Sequence, residues 1–162
     1  MMPTMTSFED FYAATHKRVR ASLVVAVGDK DLAFDAVDEA YARAFLAWDR
    51  VGSMDAPRAW VFKVALNVVR RRVRRRTMEH ALLRRTAIEP TLPAAAGEIW
   101  VLVRDLPERQ RLAVVLRYLG DLTEAQIAEA MGIKRGTVSR TLADAHASLA
   151  GVLEDDLTLE ER

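Results

Sequence analysis

Between Phe8 and Val27 the apolar residues Phe8, Phe11, Tyr12, Val19 and Leu23 recur at helical spacing. The stretch GDKD, Gly28 to Asp31, ends that helix and begins another. Along the second, Phe34, Val37, Tyr41, Phe45 and Trp48 step by three or four and form one stripe expected to be core. Asp35, Asp38, Glu39 and Arg43 lie off that stripe. Pro57 suits the first turn of a third helix, where its missing N–H is not needed. From Arg58 to Arg76 the pattern has two sides: Val61, Val64, Ala65 and Val68 on one, and Lys63, Asn67, Arg70, Arg71 and Arg74 on the other. TMEHALLRR extends this helix until Pro90 and Pro93 in TAIEPTLPAAAG break the pattern, so residues 86–97 read as a linker. Beyond it, Ile99, Leu102, Val103 and Leu106 prepare a second core, and an amphipathic helix runs from near Pro107 to near Gly120.

No segment alternates apolar and polar residues for long. The expected fold is therefore all-α: two small helical domains, residues 1–85 and 98–155, joined by the linker and followed by an acidic tail, 156–162, that frays. Each half alone is small, so each core is modest.

The most specific local pattern is LTEAQIAEAMGIKRGTVSRTL, Leu122 to Leu142. Thr123 can cap a helix, with Gln126 in the reciprocal position of a capping box. Ile127, Ala128 and Met131 give that helix an inner face, and Gly132 suits a tight turn at positive φ. Ile133 plugs the core, while Val138 and Leu142 anchor the next helix. This is a helix-turn-helix arrangement, whose second helix would present Lys134, Arg135, Gly136, Thr137, Ser139 and Arg140 to a major groove. Arginine and lysine reach phosphates or guanine edges there.

Charge sharpens the picture. The formal net charge is only +1, yet residues 58–85 alone carry 10 basic side chains and 1 acidic one. Much of that charge sits in NVVRRRVRRR, Asn67 to Arg76, and both flanking halves are net acidic. One basic stripe between acidic halves points to a polyanionic partner. The chain has no cysteine, no secretory leader pattern at its start and no apolar run long enough to span a membrane, which fits a cytoplasmic location without membrane insertion. No phosphate-binding loop, dinucleotide fingerprint, zinc-protease motif or nucleophile elbow occurs, and His16, His80 and His146 lie far apart, so neither an enzyme nor a cofactor is expected. A membrane-surface reading of the arginine helix fits less well, because its opposite side is valine-rich.

Three stretches in order resemble bacterial sigma factors of the extracytoplasmic-function type, over roughly residues 8–150. DAVDEAYARAF, Asp35 to Phe45, resembles the D-x-V-Q-E-A-F-x-R-A-W signature. RAWVFKVALNVVRRRVRRR resembles the W-L-x-x-I-A-R-N segment with its basic end, and Leu106 to Leu142 resembles the family's helix-turn-helix domain.

The resemblance implies three surfaces. Asp35, Asp38, Glu39 and Arg43 would bind core RNA polymerase, with Phe45 and Trp48 as core support; Asp38 stands where the family has glutamine. Lys63, Asn67, Arg70, Arg71 and Arg74 would read the promoter −10 element and hold its melted strand, with Gly52 to Pro57 as a base-capturing loop and Leu66 where arginine is common. Within the arginine run, Arg72, Arg75 and Arg76 would point elsewhere or sit at the helix end. Lys134, Arg135, Thr137, Ser139 and Arg140 would read the −35 element. The resemblance also makes promoter DNA and an anti-sigma factor expected partners. A stand-alone helix-turn-helix regulator is the alternative, and it leaves the first domain unexplained.

The recognition helix continues as LADAHASL, with Thr141 where arginine is common, so its phosphate anchoring is thin. Replacing the −35 sequence of a target promoter is therefore expected to lower transcription less than replacing the −10 sequence. In-vitro transcription from the two altered promoters gives the ranking.

Overall fold

The computed structural model describes residues 7–80 and 98–160, with side chains described for 7–78 and 100–151. The expected linker, 86–97, and the last two residues of the tail lie outside the described residues. Eight helices occur among them: α1 (Phe8–Val27), α2 (Lys30–Leu46), α3 (Trp48–Val51), α4 (Pro57–His80), α5 (Glu98–Arg104), α6 (Glu108–Tyr118), α7 (Glu124–Met131) and α8 (Arg135–Glu160). None is long and apolar enough to cross a membrane. The backbone of α8 is helical through Glu160.

Local chemistry explains the boundaries. Ser7 caps α1 by accepting from the Asp10 N–H, and Gly28 ends it at φ 75°. Asp29 then caps α2 by accepting from the Leu32 N–H. Contrary to the five-residue stripe expected along α2, the helix stops at Leu46 and the chain turns at Ala47, so Phe45 is 56% exposed. The buried side of α2 is built mainly from small residues: Ala33, Ala36, Ala40 and Ala44, with Val37 and Tyr41. Such residues let α1 and α4 approach α2 closely. Gly52 permits the tight turn that closes α3, because a Cβ there would meet the Trp48 ring at 2.8 Å and its carbonyl at 2.9 Å.

The two halves do not keep separate cores. Buried residues from Phe11 in α1 to Ala145 in α8 form one apolar cluster. Helix α1 packs on α6, and α4 packs on α7. Phe62 of α4 comes so close to the turn after α6 that a Cβ on Gly120 would meet its ring at 3.2 Å and the Leu116 carbonyl at 2.7 Å. A small half buries a smaller fraction of its surface than a larger body does, and the continuous cluster adds burial across the seam.

Arginines tie the same seam. Arg111 of α6 donates to the Ala26 carbonyl in the last turn of α1 at 3.0 Å, and Arg18 of α1 donates to the Leu119 carbonyl at the end of α6. Arg70 of α4 donates to the Met131 carbonyl at the end of α7 at 3.1 Å. The last carbonyls of a helix have no partner within it and carry its negative dipole end, so a guanidinium is a well-matched cap.

Beneath α1 and α2, the Tyr41 hydroxyl donates to Thr15 at 2.7 Å, and Thr15 donates to the Phe11 carbonyl at 2.6 Å. Burial, partly countered by the Thr15 bond, pushes the Tyr41 hydroxyl up to about 12. Above pH 10 the unfolded chain releases this proton while the folded chain keeps it, so stability falls as pH rises from 10 to about 12. The loss expected from this group is on the order of 1–3 kcal/mol. Tyr41→Phe should remove that share of the pH dependence, at a cost of about 1 kcal/mol at neutral pH for the lost hydrogen bond. Urea unfolding of both proteins at pH 8 and pH 11 measures the difference.

Candidate polymerase and nucleic-acid interface

The helix-turn-helix forms as its sequence dictates. Thr123 accepts from the Gln126 N–H at 3.3 Å, and the Gln126 side chain accepts from the Thr123 N–H at 3.0 Å, completing the capping box. Gly132 turns the chain at φ 68°. Ile127, Val138 and Leu142 are buried and Ile133 is half-buried, which locks the angle between α7 and α8. Lys134, Arg135, Thr137, Ser139 and Arg140 are all exposed at the start of α8. Glu124 holds part of this set: Ser139 donates to it at 2.6 Å and Arg135 lies 3.7 Å away.

Helix α4 carries the arginine run, and the structure divides it differently from the periodicity. Lys63, Asn67 and Arg70 do share one side, and Arg70 donates to the Asn67 side chain at 3.2 Å. That side faces α7: Lys63 pairs with Glu129 at 3.0 Å, and Arg70 caps α7 as described. Arg71, grouped with them by spacing, instead joins Arg72 and Arg76 against α2. Arg71 donates to Glu39 at 2.9 Å, Arg72 to Asp35 at 2.7 Å, and Arg76 to Asp29 at 3.0 Å. Arg74 and Arg75 are exposed with no acidic partner among the described residues.

The four candidates on α2 are therefore engaged within the chain. Glu39 accepts from Arg43 and Arg71 and lies 3.6 Å from Arg72. Asp35 accepts from Arg72, while Asp38 accepts from Arg20 through both oxygens, at 2.7 and 2.9 Å. Arg20 also stacks over the Phe34 ring, 4.5 Å from its centroid. All these pairs are partly exposed, so each adds little stability and each can exchange partners at small cost.

Beside Asp38 lies an apolar surface that periodicity alone hides. Phe8, Tyr12, Tyr41, Ala42 and Phe45 line an open groove of about 340 Å³, with Arg20 and Asp38 at its edge. Phe45 and Leu46 are 56% and 84% exposed. The signal in the sequence is their adjacency near a helix end: successive helical side chains point about 100° apart, which takes one of them towards the edge of a buried stripe. Tyr12 stacks on His16 at 4.3 Å, and burial, with Arg20 second, lowers the His16 pKa below its usual value. Trp60, at the start of α4, is half-buried, with the Arg50 guanidinium 5.9 Å from its ring centroid.

The arrangement offers three polar surfaces: α2 with its apolar groove, the basic side of α4, and the start of α8. Comparison with known proteins divides the chain into two matched regions. The family model for sigma-70 region 2 matches residues 11–78, and that for sigma-70 region 4 matches residues 96–149, together about three quarters of the chain. RNA polymerase sigma factor SigF of Mycobacterium tuberculosis, in strains CDC 1551 / Oshkosh and ATCC 25618 / H37Rv, is 47% identical over 53 residues. That match takes in 33% of this chain and spans one fifth (20%) of the length of these curated relatives. Among solved structures, the sigma factor RpoE in complex with the anti-sigma factor NepR from Bartonella quintana aligns with a TM-score of 0.70. The alignment covers 91% of this chain and 96% of that one at 21% identity, a likeness of fold.

Because Arg72 and Arg76 share their charge with α2, removing either should loosen the α2–α4 contact slightly. Arg72→Ala is expected to lower stability by about 0.5 kcal/mol, and the effect should shrink in high salt. Urea unfolding at two salt concentrations tests this.

Proposed function

Because the chain belongs to the sigma-70 family of RNA polymerase sigma factors, we propose that it binds core RNA polymerase and directs promoter-specific transcription initiation. Region 2 and region 4 matches in one chain, in order, are the observation that carries this reading. In it the chain works as a cytoplasmic sigma factor of the extracytoplasmic-function type. It has no active site of its own, and phosphoryl transfer stays with the polymerase. A stand-alone helix-turn-helix regulator would use α6 to α8 alone and leave the region 2 match without a role.

Asp35, Asp38, Glu39 and Arg43 would meet the polymerase, and the neighbouring groove would take an apolar side chain from it. Hydrophobic anchors beside a rim of charge suit a protein interface. Lys63, Asn67, Arg70, Arg71 and Arg74 on α4 would hold the −10 strand, where cations track phosphates and the 52–57 loop with Trp60 would receive a base. Lys134, Arg135, Thr137, Ser139 and Arg140 on α8 would read −35 duplex, with the positive end of the helix dipole toward phosphates. The Bartonella protein is held by an anti-sigma factor, and we extend that class of partner to this chain.

Co-purification with core polymerase and run-off transcription over a genomic library test the reading: promoter-dependent start sites are expected, and duplex binding without polymerase-dependent transcripts would favour the regulator. Phe45→Ala is expected to weaken core binding about tenfold, because an exposed aromatic anchor contributes 1–2 kcal/mol when it becomes buried. Titration of labelled core polymerase measures it. Arg74→Ala should reduce the salt slope of DNA binding by about 0.7 on a single strand, and Arg76→Ala, already paired with Asp29, by less.

A further inference from the structure

A serine on a DNA-reading helix is an ambiguous reader, because a hydroxyl both donates and accepts. Ser139 does not keep that freedom. Its Oγ donates to Glu124 Oε2 at 2.6 Å, the short range of a hydrogen bond to a carboxylate. A second acceptor, the Arg135 carbonyl, lies 3.4 Å away. The single hydroxyl proton is therefore taken up inside the protein, and only lone pairs remain for an outside partner. Glu124 is well placed for this. It opens α7 directly after the Thr123 cap, whose reciprocal bonding with Gln126 fixes the first turn. Arg135 and Ser139 are four residues apart, one turn of α8, and so present the same side to it. Arg135 approaches the same Oε2 through Nε at 3.7 Å. Nε is the nitrogen that stays unused when a guanidinium grips guanine end-on through its two terminal nitrogens. With the Arg135 side chain 74% exposed, that contact steers the guanidinium and adds little energy. The stronger constraint is the one on Ser139.

We propose that Glu124 is a specificity-determining positioning residue: by taking the Ser139 proton it makes Ser139 an acceptor-only reader, selective for a base that offers an amino group. In the major groove adenine and cytosine offer one, whereas guanine and thymine present only acceptors there. Guanine O6 or thymine O4 opposite Ser139 leaves two acceptors facing each other with no proton between them. Adenine N6 or cytosine N4 supplies that proton. Glu124 touches no base in this arrangement and acts through Ser139.

This role rests on the placement of α8 in promoter duplex proposed above, and selection of duplexes separates it from the sigma-factor reading. The full-length chain, alone and bound to core RNA polymerase, is given duplexes randomised over about ten base pairs, one helical turn, and the retained duplexes are sequenced. At one position the unaltered chain should favour adenine or cytosine over guanine and thymine about three- to tenfold, as expected for one hydrogen bond. Ser139→Ala should abolish the preference at that position and leave the others. Glu124→Ala should bring the ratio at the same position below about twofold, since the freed hydroxyl donates as readily as it accepts. Alanine is the best helix former, so this variant keeps α7. A Glu124 that served only structure would lower retention of all duplexes alike and leave the ratio unmoved. That result, a guanine or thymine preference at the Ser139-dependent position, or the absence of any Ser139-dependent position with the chain alone and with polymerase, would overturn the role. If the expected ratios appear but core polymerase yields no promoter-dependent transcripts, the role of Glu124 stands and the sigma-factor reading falls.

Discussion

The structure depends on arginines that satisfy the free carbonyl ends of helices belonging to the other half of the chain. Arg111 on Ala26, Arg18 on Leu119 and Arg70 on Met131 are three instances of one device. A helix end buried at a seam costs free energy unless its carbonyls find donors. Supplying donors from across the seam makes each half's helix termination conditional on the other half. The shared apolar cluster then needs no large core in either part.

Arginine does a second job between α2 and α4. Asp29, Asp35 and Glu39 receive Arg76, Arg72 and Arg71, so the acidic start and side of α2 and the basic side of α4 form one electrostatic unit. Its members are partly exposed and exchangeable. A partner that takes the carboxylates of α2 releases guanidinium groups on α4, and a polyanion on α4 frees carboxylates on α2. Within this construction Arg71, Arg72 and Arg76 are matched inside the chain, while Arg74 and Arg75 are exposed with no acidic partner among the described residues.

How much could be read in advance varied with the range of the interaction. The capping box of Thr123 and Gln126 and the left-handed turn at Gly132 were legible because each involves residues a few positions apart, with one side chain or one backbone conformation to satisfy. The buried side of α2 was only half legible. Its alanines carry little hydrophobic signal, yet burial depends on the close approach they permit. Phe45 and Arg71 were assigned by spacing to sides that the structure does not give them. A turn at Ala47 ends the first stripe, and the carboxylates of α2 draw the second residue away from Lys63 and Arg70.

The sequence by itself determined the helical class, the helix-turn-helix with its caps, the basic stripe and the order of motifs that marks the family, since these arise from local periodicity and chemistry. Tertiary structure alone decided that two halves share one core, that Glu129 lies on Lys63, and that the arginine run is split between α2 and α7. Those contacts join residues tens of positions apart. They depend on how closely backbones approach at Gly120 and along the alanines of α2, which no repeat in the chain encodes.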